Sequence, residues 1–120
     1  MSIEIRSQNF SVTSAIREHT ERSLRFALDG YAVDRLRDVR QLVVRLGDIN
    51  GPKGGGDKFC LITAQVGLDT VVAEDVHSNL DSAISRATLR FSLKAARELA
   101  REKRLMAIYR AEAVVEARRS

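Results

Sequence analysis

The sequence predicts an α+β domain with the order β-α-β-β-β-α, a four-stranded mixed sheet and two helices packed on one face. Apolar residues alternate with polar ones in four short segments, which is typical of strands. Two longer segments instead place apolar residues three and four positions apart, as helices do. Five of the seven glycines and the only proline fall in residues 47–57, which predicts a loop between two strands.

The N-terminal part predicts a strand followed by a helix. Residues 2–6 (SIEIR) alternate and form the first strand. Thr13 has a hydroxyl that can accept a free amide of the first turn, so it is the predicted N-cap of a helix over 14–28. Gly30 suits the left-handed residue that often follows a helix. One side of this helix is apolar and should face the core: Ile16, Thr20, Leu24, Ala27 and Leu28.

The middle of the sequence predicts three strands. Residues 38–46 (DVRQLVVRL), 58–66 (KFCLITAQV) and 70–76 (TVVAEDV) each alternate. The short turn at 67–70 makes the last two a hairpin. Because crossovers between parallel strands are right-handed, the first two strands are predicted to be parallel neighbours.

The last helix is predicted to begin at Ser78, with Asp81 completing a capping box. No glycine or proline occurs from Asp69 onwards, so the helix should reach at least Arg104. We therefore expect residues 1–104 to form one domain and residues 105–120 a helical extension or a tail. Glu98 and Glu102 lie on the apolar side of the helix, so the helix should overhang the sheet from there.

One face of the last helix is basic. At 100° per residue, its cations fall within an arc of about 80°. We call these six residues the basic arc: Arg86, Arg90, Lys94, Arg97, Arg101 and Arg104. No acidic residue lies in this arc to relieve the repulsion, and a face of one sign favours binding to an anion. The apolar stripe beside it should pack on the sheet: Leu80, Ile84, Ala87, Phe91 and Ala95.

Charge is distributed unevenly along the chain. Residues 1–78 contain 10 Lys or Arg and 11 Asp or Glu, a net charge of −1. Residues 79–120 contain 10 Lys or Arg and only 5 Asp or Glu, a net charge of +5. An excess confined to the last third favours a polyanionic partner.

Other candidate sites are weak. The GPKGGG stretch lacks the Gly-Lys-Ser/Thr of a phosphate-binding loop, so Lys53 is at most a backbone-phosphate contact. His19 and His77 have no partners at metal-ligand spacing. Cys60 is alone and falls on the inward face of its strand. No nucleophile is paired with a base, so we expect neither an enzyme nor a cofactor. With no signal peptide and no membrane-length apolar run, we expect a cytoplasmic protein.

Two stretches resemble the family of ribosome hibernation promoting factors and ribosome-associated inhibitor A. Residues 12–19 (VTSAIREH) match the start of the family's first helix. Residues 79–85 (NLDSAIS) are similar to the segment that follows its fourth strand. The resemblance covers about residues 1–104 and identifies a short form, without the C-terminal dimerisation domain of long forms.

This resemblance implies a protein that binds the rRNA of the small (30S) ribosomal subunit in the channel for messenger and transfer RNA. It would block translation in stressed or stationary-phase cells. Arg90 and Arg97 match positions that are usually basic in the family. Because the family uses both helices and neighbouring loops, Arg22, Arg25 and Lys53 join the basic arc as candidate RNA-binding residues.

Two alternatives remain open from the sequence. A general double-stranded-RNA-binding module shares the helix-sheet-helix order and a basic last helix. A protein-interaction domain would instead use a second apolar stripe of the last helix: Leu89, Leu93, Ala96 and Ala100. Beyond the ribosomal subunit we expect at most a weak homodimer, and we expect binding neither to DNA nor to a membrane.

Overall fold

Six segments of regular structure follow one another in the predicted order. The computed structural model describes residues 2–31, 36–49 and 57–119. The elements are β1 (Ile3–Gln8), α1 (Ser14–Gly30), β2 (Val39–Asp48), β3 (Lys58–Val66), β4 (Asp69–His77) and α2 (Leu80–Arg119), with a 3₁₀ turn at Leu36–Asp38 before β2. The sheet order is β1-β2-β3-β4, with β1 parallel to β2 and the other pairs antiparallel. The predicted α+β fold is confirmed.

The core lies between one face of the sheet and the two helices. Apolar side chains from β1 to β4, α1 and α2 join in one buried cluster. The predicted core stripe of α2 is buried from Ile84 to Ala95, and Phe91 is its largest fully buried side chain. The inward residues of β3 are buried as their alternation predicts: Cys60, Ile62, Ala64 and Val66.

A β-bulge lets β2 bury an extra residue. Val39 and Leu42 are both buried although they are three positions apart, a spacing that would place them on opposite faces of a regular strand. The register with β3 shifts between Arg40 and Val43, and Gln41 has φ +52°. The inserted residue restores the alternation, so both side chains reach the core.

The sequence predicts the N-terminal end of α1 correctly but not its C-terminal end. The Thr13 hydroxyl accepts the Ile16 N–H at 3.2 Å, so the predicted N-cap is confirmed. Gly30 does not take the predicted left-handed conformation; within the described residues, Gly67 is the glycine with positive φ. The helix instead continues through Gly30, and the Tyr31 N–H donates to the Ala27 carbonyl at 3.1 Å.

The start of α2 corrects the predicted capping box. The helix begins at Leu80, and the side-chain oxygen of Asn79 accepts the Ser82 N–H at 3.1 Å. The prediction of Ser78 as the cap is wrong, because Ser78 lies one residue before the residue that caps the helix, Asn79. Asn79 satisfies the amide that a cap must satisfy.

The C-terminal part of α2 corrects the predicted overhang. Glu102 accepts the Leu68 N–H at 2.7 Å, so the helix still contacts the turn between β3 and β4 at this point. Side chains are all exposed only from Lys103 to Arg119, about one turn later than expected. The helix is continuous over 40 residues, and the molecule measures 71 × 22 × 20 Å.

Candidate nucleic-acid interface

The basic arc lies along β4, the edge strand of the sheet. Arg90 donates from Nη1 to the Glu74 carbonyl at 3.0 Å, and Lys94 donates from Nζ to the Val72 carbonyl at 2.8 Å. Both carbonyls belong to a strand that has a neighbour on one side only. These cations therefore satisfy outward-facing backbone groups that would otherwise be open to pairing with another strand.

A buried carboxylate forms ion pairs with two arginines of the arc. Asp75 lies on the inward face of β4, and its side chain is 3% exposed. Arg86 Nε lies 3.2 Å from its Oδ2 and Arg90 Nη2 lies 3.3 Å from its Oδ1. The contact with Oδ2 is an ion pair without hydrogen-bond alignment. The expectation that nothing relieves the repulsion within the arc is therefore wrong, because the relief comes from the neighbouring strand.

Arg101 is held by two further acids. Its Nη2 lies 2.8 Å from an Asp69 oxygen and 2.6 Å from a Glu98 oxygen. The hydrogen bond from Arg101 lowers the pKa of Glu98, and the hydrogen bond and charge of Glu98 raise the pKa of Arg101. The pKa of Asp69 is raised, chiefly by its hydrogen bond with Glu98. Arg101 therefore joins β4 to α2 and has little free charge for a ligand.

Three cations of the arc have no acidic partner among the described residues: Lys94, which bonds to a backbone carbonyl, Arg97 and Arg104. Across the described ranges, Arg97 and Arg104 make no hydrogen bond or ion pair, and both are exposed. With Lys94 and Arg101 they line a recess of about 480 Å³ beside the start of β4. Uncompensated positive charge is thus concentrated at the middle of α2 and is weaker at the start of the helix.

The remaining predicted residues do not join the arc. His19 of α1 faces α2, since its Nε2 lies 3.3 Å from the Asp81 carbonyl oxygen. At 100° per residue, Arg22 and Arg25 lie about 60° and 120° further around α1 from His19. Both are exposed on the outer surface of the helix layer, away from β4. Lys53 lies outside the described residues.

The second apolar stripe of α2 is only partly covered. Leu93 and Ala96 are half-buried, whereas Leu89 and Ala100 are exposed. Helices α1 and α2 pack against each other, which accounts for the covered part. Half of the stripe, Leu89 and Ala100, therefore remains exposed.

Sequence reasoning missed the acidic partners supplied by β4. The signal for Asp75 was present, because alternation in TVVAEDV places it on the same face as Val71 and Ala73. A carboxylate on a core-facing position needs a cationic partner. Asp69 gave no comparable signal, because it stands at the turn and its side chain is exposed.

Neither a metal site nor a reactive thiol is found in the described part of the chain. There, no group of three or more His, Cys, Asp or Glu residues could hold a metal ion. Burial, followed by the charge of Asp75, raises the pKa of the Cys60 thiol to about 12, so the thiol stays protonated and inert near neutral pH. None of the described helices has the length and apolarity needed to span a bilayer.

Comparison with known proteins gives relatives with the same architecture. The N-terminal domain of Protein Y from Thermus thermophilus is 27% identical, with a TM-score of 0.62 over 81% of this chain and 98% of that chain. A ribosomal subunit interface protein from Coxiella burnetii is 13% identical, with a TM-score of 0.68 over 83% of this chain and 99% of that chain. No curated protein sequence matches the chain.

A family model covers most of the chain. The model described as Sigma 54 modulation protein / S30EA ribosomal protein matches residues 3–106, which include every described strand, α1 and the packed part of α2. The resemblance drawn from VTSAIREH and NLDSAIS is confirmed by this match. The chain belongs to the Sigma 54 modulation protein / S30EA ribosomal protein family.

Proposed function

We propose that this protein is a non-catalytic, cytoplasmic ribosome hibernation factor. It binds rRNA of the small subunit in the channel for messenger and transfer RNA, and it silences translation in stressed or stationary-phase cells. Membership of a ribosome-associated family supports this role. So does the name of the Coxiella relative, which is a ribosomal subunit interface protein.

One observation carries the proposal. The six cations of the arc follow a single line along β4, and three of them, Lys94, Arg97 and Arg104, have no acidic partner among the described residues. A line of cations over five helical turns fits the regular spacing of phosphates better than a single small anion. Arginine suits this contact because its planar fork donates two parallel hydrogen bonds to a phosphate.

The two classes of cation would act differently. Arg97 and Arg104, with Lys94 beside them, have free donors and would make the direct phosphate contacts. Arg86 and Arg90 are already held by Asp75, so ordering them on binding costs little side-chain entropy. Their side chains are each 54% exposed, so their guanidinium groups can still present a second edge to the RNA.

Sedimentation with ribosomes tests the proposal. The purified protein should migrate with 30S subunits at low salt and dissociate steeply as salt rises, because bound phosphates release counterions. The double variant Arg97→Glu, Arg104→Glu should lose most of this binding. A protein that stays at the top of a low-salt gradient with excess ribosomes would refute the proposal.

A matched control distinguishes the effect of the basic arc on ribosome binding from the effect of net charge. The double variant Arg110→Glu, Arg118→Glu makes the same charge change on the same helix, beyond the residues that the family model matches. It should sediment like the wild type. An excess of free double-stranded RNA should not displace the protein from ribosomes; displacement would favour a general duplex-binding module instead.

A further inference from the structure

The face of the sheet away from the helices is open and carries a recess. The recess has a volume of about 550 Å³ and includes side chains from all four strands. Strand register aligns one row across the sheet: Arg6, Arg45, Leu61 and Glu74. The next row is Gln8, Gly47, Phe59 and Val76. Nothing in the basic arc of α2 contributes to this surface.

An aromatic ring forms the floor of the recess. Phe59 stands directly opposite Gly47, and a Cβ placed on Gly47 would overlap the ring of Phe59. The ring therefore lies across β2, above a residue that has no side chain to lift it. The ring is half-buried and lines the recess, so part of it is open to a ligand. This arrangement is suited to stacking with a planar group.

Two arginines flank the ring on the side of β1 and β2. Arg6 and Arg45 are register neighbours, so their backbones are about 4.8 Å apart, as in any strand pair. Arg6 uses its Nε for Glu4 at 2.9 Å, which leaves its two Nη groups available. Arg45 is exposed and has no ion pair with any residue that the structure describes. Two adjacent cations with free donors form a suitable site for a phosphate.

A carboxylate lies on the opposite side of the recess. Glu74 belongs to β4, two strands from Arg45 and so roughly 10 Å away across the sheet. Its carbonyl oxygen is bonded to Arg90, but its side chain points to the open face with Val72 and Val76. The recess is therefore polarised, with cations at one end, an acceptor at the other and apolar side chains between them.

We infer that the open sheet face binds one unpaired nucleotide, with its base stacked on Phe59 and its phosphate held by Arg6 and Arg45. Glu74 then accepts a hydrogen bond from the exocyclic amino group of the base, as carboxylates do with cytosine. Bases with an amino group are preferred to uracil, which offers carbonyl oxygens in its place. The nucleotide is either a free mononucleotide or one residue of an RNA strand. Only binding to an RNA strand rests on the proposed function.

A nucleotide titration followed by amide NMR shifts tests this inference. Cytidine 5′-monophosphate and a six-residue cytidine RNA should both shift amides around Arg45, Phe59 and Leu61. Uridine 5′-monophosphate should bind more weakly. Phe59→Leu keeps an apolar cover over Gly47 but removes the stacking face, and it should weaken binding about tenfold. Arg45→Gln should weaken binding of both cytidine ligands.

Arg110→Gln is the control, because it removes the same charge from a site outside both the recess and the basic arc. It should leave the titration with the mononucleotide unchanged. The inference is overturned if the shifts map to α2 alone, if neither cytidine ligand binds, or if both Phe59→Leu and Arg45→Gln bind every cytidine ligand that the wild type binds with unchanged affinity. If the RNA hexamer binds but the mononucleotide does not, the source is a strand; equal binding of the two identifies a free nucleotide.

The result of the nucleotide titration can be distinguished from the result of the ribosome experiment. If only the sheet-face inference fails, ribosome binding remains and is still lost in the Arg97→Glu, Arg104→Glu variant. If only the proposed function fails, the protein stays off ribosomes while cytidine monophosphate still shifts the amides of β2 and β3.

Discussion

Asp75 determines how α2 presents its charge. The carboxylate is buried on the inward face of β4 and meets two arginines that would otherwise repel each other. Its position opposite Cys60 also places a negative charge beside a buried thiol. A single core-facing acid therefore holds Arg86 and Arg90, and it adds to the effect of burial in raising the pKa of the Cys60 thiol.

Removing both arginine partners should leave Asp75 as an uncompensated buried charge. We expect the double variant Arg86→Met, Arg90→Met to lose about 3 kcal/mol of unfolding free energy in urea titrations. Adding Asp75→Asn to that variant should restore most of the loss, because the buried charge is then removed. A triple variant no more stable than the double variant would contradict this account.

The Cys60 thiol should make stability fall at alkaline pH. Its pKa is about 12 in the folded protein, above the 9.0 of a solvated cysteine, so the folded state retains the proton that the unfolded chain releases. The contribution is full below about pH 9 and is lost as the pH rises towards 12, by at most about 1.4 kcal/mol per unit. Unfolding titrations at pH 8.5 and 10.5 should show a smaller decline for Cys60→Ala than for the wild type. Equal declines would rule out this role for the thiol.

Three features of the helices and strands depend on hydrogen bonds or backbone angles that the sequence pattern did not predict. Helix α2 starts at an Asn79 cap, and its packed part ends where Glu102 accepts a bond from the β3–β4 turn. Strand β2 needs a bulge at Gln41 to bury both Val39 and Leu42. Each boundary thus depends on one polar contact or one unusual φ angle.

The cap of α2 can be located by paired alanine substitutions. Asn79→Ala should cost about 1 kcal/mol of unfolding free energy, since the Ser82 amide loses its acceptor. Ser78→Ala should change stability by less than about 0.5 kcal/mol, as expected of an exposed residue outside the helix. The reverse order of these two effects would restore Ser78 as the cap.

At the scale of the whole molecule, a 40-residue helix links a packed domain to an exposed extension. The family match ends at residue 106, close to the point at which side chains stop packing. The extension exposes large apolar side chains, among them Ile108, Tyr109 and Val115. We therefore expect the fold of the domain to depend on residues before about 104, as the sequence predicts.

Truncation tests this division. A chain that ends at Arg104 should keep its unfolding free energy within about 0.5 kcal/mol, because it loses only exposed side chains. A chain that ends at Glu98 also loses buried Leu99 and the Glu102 contact, so it should lose more than about 2 kcal/mol. Equal stabilities of the two truncated chains would contradict a boundary near residue 104.

Much of the fold could be predicted, because periodicity reflects burial directly. The inward residues of β3 and the core stripe of α2 follow from alternation and from angle alone. The candidate interface was predicted less completely. Helical spacing correctly places six cations on one line. It says nothing of residues outside α2, so it could not predict Asp69 and Asp75 as ion-pair partners of the arc. These partners are far apart in the sequence, so their pairing could not be predicted until the fold brought them within ion-pairing distance.

The sequence by itself determined the element order, the single core and the presence of a basic face on the last helix. These follow from side-chain periodicity and from charge, which act over one or two turns or a few strand residues. Only the tertiary structure decided which of those cations remain free. Packing α2 against β4 pairs Arg86 and Arg90 with Asp75 and Arg101 with Asp69. It leaves Lys94, Arg97 and Arg104 without an acidic partner within the described ranges. Coulombic pairing depends on distance in space, and distance in space is set by the fold.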